Sequence, residues 1–163
     1  MALGAVLTAR SVRGSRTIDA GSFFQGFLTT ALADDELLEA VHIPARRLHT
    51  GQAFVEFARR HGDFAVVGVA ACVELGESGR LVDVRLALCG VDAVPVRARE
   101  AEHLLVGGDA APKAFEAAGV EAAQGLEPSD DAHGSAAHRR ALVRRLVPRA
   151  LGIALDRARD GAA

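Results

Sequence analysis

Apolar and polar positions divide the chain into a strand-rich first half and a helical second half. Residues 2–9 (ALGAVLTA) are predicted to form a strand. Val12-Arg13-Gly14-Ser15-Arg16 reads as a turn, and Thr17-Ile18 opens a returning strand. Ser22 is placed to cap a short helical turn carrying Phe23, Phe24 and Phe27. From Leu37 to Ile43 the apolar residues recur with a period of two, Glu39 excepted, which predicts a strand closed by Pro44.

The polar stretch 45–51 is the predicted domain boundary. Beyond it, Ala53 to Arg59 alternates, and Phe64 to Leu75 is small and apolar enough for a strand buried on both faces. Leu81 to Val91 alternates with Val82, Val84, Leu86 and Leu88 on one side, and Gly76-Glu77-Ser78-Gly79 reads as a hairpin loop. A three-stranded antiparallel meander is expected. Helices follow, over Arg97–Val106 up to Gly107-Gly108, from Asp109-Pro112 through Ala122, and from a Ser135 cap to about Arg159. Pro148 removes a backbone donor inside the last helix and is expected to kink or split it. The fold class is therefore α+β.

Composition narrows the function classes. Half of the 163 residues are apolar, and 19 basic against 21 acidic groups give no global field for nucleic acid or anionic lipid. No apolar run is long enough to span a bilayer. Met1 to Thr8 lacks a preceding basic region, so no signal peptide is expected. Cys72 and Cys89 lie in apolar runs without ligand-spaced neighbours and are expected to be buried reduced thiols, as in a cytoplasmic protein. The six histidines are scattered, so no metal site is expected, and no catalytic residue set is apparent. Arg139, Arg140, Arg144, Arg145 and Arg149 spread around the last helix, as a solvated face or a docking surface.

More specific chemistry comes from words in a fixed order. Phe23-Phe24-Gln25-Gly26-Phe27 and Thr30 lead to Asp35-Glu36-Leu37-Leu38 and Ile43-Pro44. Ala53-Phe54 precedes Ala58-Arg59-Arg60-His61-Gly62-Asp63-Phe64-Ala65. Leu88-Cys89-Gly90-Val91 comes next with Pro95, Arg97 and Ala101-Glu102. Asp131-Ala132-His133-Gly134-Ser135, His138-Arg139-Arg140 and Arg149-Ala150-Leu151 complete the series. This order resembles the FAD-carrying medium subunit of molybdenum hydroxylases, the carbon monoxide dehydrogenase and xanthine dehydrogenase kind.

The resemblance implies that residues 1–46 are the end of the second FAD-binding lobe and that residues 47–163 are the C-terminal domain, a three-stranded sheet with helices. It implies an oxidoreductase subunit passing electrons from [2Fe–2S] clusters through FAD to an external acceptor. Molybdopterin and the clusters would sit in partners, a large and a small subunit. The family's Gly-rich diphosphate loops match nothing here, so that lobe is expected to be cut away or supplied by another chain, and the isolated chain to be inactive. Leu38, Phe54 and Asp63 match positions beside the flavin. Phe54 is either a ring contact or core, Leu38 a flavin-edge contact or an ordinary strand residue. Asp63 is expected to pair with Arg59 or Arg60 and fix a turn, as Thr30 and Glu36 would fix another. Where the family commonly has Lys after the aromatic, this chain has Val55 and Glu56. The alternative reading is an assembly or docking module that does not bind FAD alone.

Overall fold

The computed structural model describes residues 1–60 and 62–161, so His61 lies outside the described residues. Its first sheet holds β1 (Val6–Ser11), β2 (Gly14–Asp19) and β5 (Leu37–His42) in the order β2-β1-β5, all antiparallel. Ser11 pairs directly with Gly14, so the hairpin turns on Val12-Arg13, tighter than the expected 12–16 turn. The strand also starts later than expected, because Gly4, at φ 64°, closes a turn back onto Met1. Leu7, Ala9, Ile18, Ala20 and Phe23 form a small core under this sheet.

Ser22 does not cap a helix. The single turn α1 (Ala20–Phe23) follows Asp19, and the chain then extends into β3 (Phe24–Gly26), paired with β4 (Thr29–Thr30). One helical turn cannot sustain itself, and the Phe23 carbonyl is taken by the Ala31 N–H at 2.8 Å. Three arginines of β1, β2 and their turn meet acids of β5 and the turn before it: Arg10 with Glu39, Arg13 with Asp35, and Arg16 with Glu36. Glu36 also accepts from the Ala33 N–H at 2.8 Å, which fixes the 33–36 turn.

The second sheet contains β6 (Thr50–Phe57), β7 (Val67–Leu75), β8 (Leu81–Cys89) and β9 (Val96–Arg97), antiparallel in chain order. The expected meander is present, and two residues of β9 extend it. β7 is buried on both faces over most of its length, as its sequence requires. The ladder shifts between Glu74 and Leu75, so Leu81 turns inward and Val82, expected beside Val84, is 49% exposed.

Helices α2 (Arg99–Leu105) and α4 (Ala136–Asp160) cover one face of this sheet, and α3 (Pro112–Gln124) packs on both of them. Arg97 is in β9 rather than in α2, and its guanidinium grips Glu102 at 2.6 and 2.7 Å. The same carboxylate accepts from the Leu86 N–H at 2.7 Å, tying α2 to β8. Ser135 caps α4 as expected, its Oγ accepting from the His138 N–H. Pro148 does not split α4, which runs unbroken through it. Gly51 of β6 lies so near α4 that a Cβ there would collide with the Ala154 carbonyl.

Candidate functional site

The other face of the second sheet carries few bulky side chains. Register sets its rows: Gln52–Cys72–Arg85, then Phe54–Ala70–Ala87, then Glu56–Gly68–Cys89. Phe54 is 59% exposed there, which removes it from this chain's core. Its ring leans over Gly68, where an added Cβ would lie 3.0 Å from Cζ and 2.7 Å from the Cys89 Sγ. A shelf of small side chains results at Gly68, Ala70, Ala87 and Cys72, with one aromatic ring and polar Gln52, Arg85 and Glu56 at its margins. Burial pushes both the Cys72 and Cys89 thiols up.

Alternation sends Val55 toward the helices and leaves Glu56 exposed beside Phe54, so this part of β6 offers a carboxylate and no cation. At the far end of the shelf the turn that precedes β1 comes close. An added Cβ on Gly4 would lie 3.0 Å from the Arg85 Nη1, and Asp83 holds Arg85 at 2.6–2.7 Å.

Beyond the Phe54 row the sheet ends in a cleft of about 190 Å³, lined in part by Arg59, Asp63, Phe64, His133 and Arg139. The expected ion pair of Asp63 with Arg59 or Arg60 is not formed. Arg59 donates to the Ala132 carbonyl at 3.3 Å, and the turn closes through the Asp63 N–H to the Arg60 carbonyl at 3.2 Å. Gly62, at φ 90°, supplies the bend, so the turn needs no side-chain anchor. Asp63 lines the cleft with no ion-pair partner among the described residues.

Leu38 lies apart from both, on β5 opposite Ala9 and 44% exposed. The three residues therefore occupy three elements: an outer strand of the first sheet, the open face of the second, and the loop between β6 and β7. Among the described residues no group of three His, Cys, Asp or Glu could hold a metal ion.

Arg139 was expected on a solvated or docking face with the other arginines of the last helix, and the structure instead buries it to 6% exposure. Its Nη1 donates to the Val66 carbonyl at 2.6 Å and the Gly90 carbonyl at 2.8 Å, and its Nη2 to Asp131 at 2.6 Å. Nε has no partner. The N–H of His133, then the Arg139 guanidinium, hold the Asp131 carboxyl below its ordinary range. One signal for Arg139 was available: it continues the stripe of Val143, Leu146 and Ala150 at helical spacing.

Comparison with known proteins places this architecture. The model for the CO dehydrogenase flavoprotein C-terminal domain matches residues 52–154, and that for the FAD binding domain in molybdopterin dehydrogenase matches residues 1–46. The chain belongs to the molybdenum hydroxylase flavoprotein family. It is 36% identical over 159 residues to the 6-hydroxypseudooxynicotine dehydrogenase complex subunit alpha of Paenarthrobacter nicotinovorans, covering 98% of this chain and 54% of that one. A solved carbon monoxide dehydrogenase from Hydrogenophaga pseudoflava superposes with a TM-score of 0.91 at 32% identity, covering 96% of this chain and 54% of that one. Quinoline 2-oxidoreductase from Pseudomonas putida 86 gives 0.86 at 34% identity, covering 99% and 55%. The chain spans about half the length of the curated relatives it matches.

The family's FAD fits these residues in part. The shelf under Phe54 suits one face of a flat aromatic ring. A diphosphate needs free backbone N–H groups, and Gly107-Gly108 cannot give them. The Gly107 N–H donates to the Leu81 carbonyl at 2.7 Å and the Gly108 N–H to the Leu105 carbonyl at 3.0 Å, while the Gly108 carbonyl accepts from the Leu81 N–H at 3.1 Å. That Gly pair is part of the edge of β8.

Proposed function

We propose that this chain is the C-terminal portion of an FAD-carrying medium subunit, forming one wall around a flavin whose diphosphate is held elsewhere. The supporting observation is Phe54, an exposed aromatic on a sheet face whose nearest positions are Gly68, Ala70, Ala87 and the two cysteines, with Gln52, Arg85 and Glu56 at its margins. Residues 1–46 would be the end of the second flavin lobe and residues 47–163 the C-terminal domain. Leu38 would touch the flavin edge, Phe54 would cover part of the ring, and Asp63 would stand at its polar margin.

FAD bound here would supply relay chemistry, accepting electrons from [2Fe–2S] clusters and releasing them to an external acceptor. The chain's own part is to position the ring, exclude water from one side and set its polar surroundings. Molybdopterin and the clusters would belong to a large and a small partner subunit in a cytoplasmic complex. The relatives' names include nicotine, caffeine, quinoline and carbon monoxide, so we assign substrate choice to the large subunit.

The test is Phe54→Ala in the flavin-loaded assembly. The visible flavin spectrum should shift and reoxidation by the acceptor should change rate. Identical spectra and rates would rule out ring contact. The chain has no Trp or Tyr, so a bound flavin dominates its near-ultraviolet and visible absorbance. Co-expression with the neighbouring subunits separates this reading from a docking module, which would co-purify without yellow colour.

A further inference from the structure

Arg139 lies on the helix side of the second sheet, away from Phe54, yet it acts on the ground beneath that ring. Val66 immediately precedes β7 and Gly90 immediately follows β8, and the last rung between these strands is Gly68 with Cys89. The Arg139 Nη1 donates to both carbonyls beyond that rung, at 2.6 and 2.8 Å. One nitrogen therefore ties the two strand ends together just beyond the last rung. Gly90 sits at φ 75°, and a Cβ there would collide with the Val66 carbonyl, so the two backbones are held close.

The rung held in this way is the floor under Phe54. Gly68 leaves no slack toward either neighbour, since an added Cβ would lie 3.0 Å from the Phe54 ring and 2.7 Å from the Cys89 Sγ. Asp131 fixes the guanidinium from the other side. Its Oδ2 accepts from Nη2 at 2.6 Å, while Oδ1 accepts from the His133 and Gly134 N–H groups at 2.8 and 3.0 Å. A planar fork can span three acceptors in fixed directions, and a lysine ammonium cannot.

We infer that Arg139, held by Asp131, is a positioning residue for the flavin wall, setting the Gly68–Cys89 floor on which Phe54 rests. The inference rests on the flavin-wall reading of that face. It is tested in the full chain with single thiols, Cys89 in a Cys72→Ser background and Cys72 in a Cys89→Ser background, labelled by a chromogenic aromatic disulfide. Arg139→Lys should speed Cys89 labelling by about tenfold through local opening, leaving Cys72 labelling and the far-ultraviolet spectrum unchanged. Asp131→Asn keeps the arginine and should act in the same sense more weakly, which provides a second variant if Arg139→Lys folds poorly. Unchanged Cys89 labelling, or equal acceleration at both thiols, would overturn the inference.

A second arm uses the flavin-loaded assembly. Arg139→Lys should shift the visible flavin bands in the same direction as Phe54→Ala, with smaller amplitude. A shift from Phe54→Ala alone would overturn the positioning role and leave the flavin wall standing. No shift from either would sink the wall, and the positioning role with it.

Discussion

Gly119 of α3 lies against the carbonyl of Arg144 on α4, the carbonyl that Pro148 leaves without a helical donor. An added Cβ on Gly119 would stand 2.9 Å from that oxygen and 3.0 Å from the Pro148 Cδ. In a regular helix the residue four positions later donates to each carbonyl, and Pro148 has no N–H to give. The glycine lets α3 approach closely enough for a Cα–H to face the unpaired oxygen, a weak contact that repeats wherever backbones come this near.

Gly119→Ala should therefore destabilise the chain by about 2 kcal/mol, from overpacking at a helix–helix contact. The same substitution in a Pro148→Ala background should cost less, because the ring is gone and Arg144 regains its donor. Urea unfolding of the four chains completes the cycle, and additive costs would show that the two positions are not coupled.

Gly51→Ala should be more damaging, at about 3 kcal/mol, because the obstacle is α4 backbone rather than a side chain that can turn aside. Gly125→Ala is the control. A Cβ at Gly125 meets nothing within 4 Å and its φ is −83°, so that change should be near neutral. Equal melting temperatures for the two variants would contradict the tight β6–α4 contact.

Glu36 gives the first sheet a pH dependence. The Arg16 guanidinium, then the Ala33 N–H, hold its carboxyl down to about 2. An ordinary glutamate titrates near about 4.3. A carboxyl depressed by folding adds stability that is present above the unfolded value and lost as pH falls toward the folded one. Glu36→Gln should thus melt below the parent at pH 7, and the gap should close between about pH 4.3 and pH 2. A gap that persists at pH 2 would assign the loss to shape rather than charge.

Glu102 is the only acid among the buried polar residues described, and it serves both Arg97 and the Leu86 N–H. Glu102→Gln keeps an acceptor for the Leu86 amide and strands the Arg97 charge in a mostly buried position. The cost should be about 3 kcal/mol, in line with breaking a buried pair from one side. Adding Arg97→Met should recover part of that loss in urea unfolding. No recovery would mean that the pair does not account for the cost.

Much of the fold was legible along the chain because its signals are local. Alternation in 53–59, the small apolar run of 64–75 and the Gly76–Gly79 loop specify the meander, and Ser135 specifies the start of α4. The order of short words from Phe23 to Leu151 specified the family, and with it the expectation of a flavin. Where local signals competed with pairing, pairing prevailed. Phe24 joined Thr30 in a ladder instead of extending a helix, and Arg97 joined the sheet edge instead of opening α2.

The sequence by itself determined the longer strands and helices and the family they belong to, because periodicity and word order are properties of the chain. Only the tertiary structure decided that Phe54 lies open over Gly68 and that Asp63 is left without an arginine partner. It alone also put Arg139 across the ends of β7 and β8. Those outcomes depend on register and on the distance between backbones far apart in sequence. Such distances are fixed only when the helices close over the sheet.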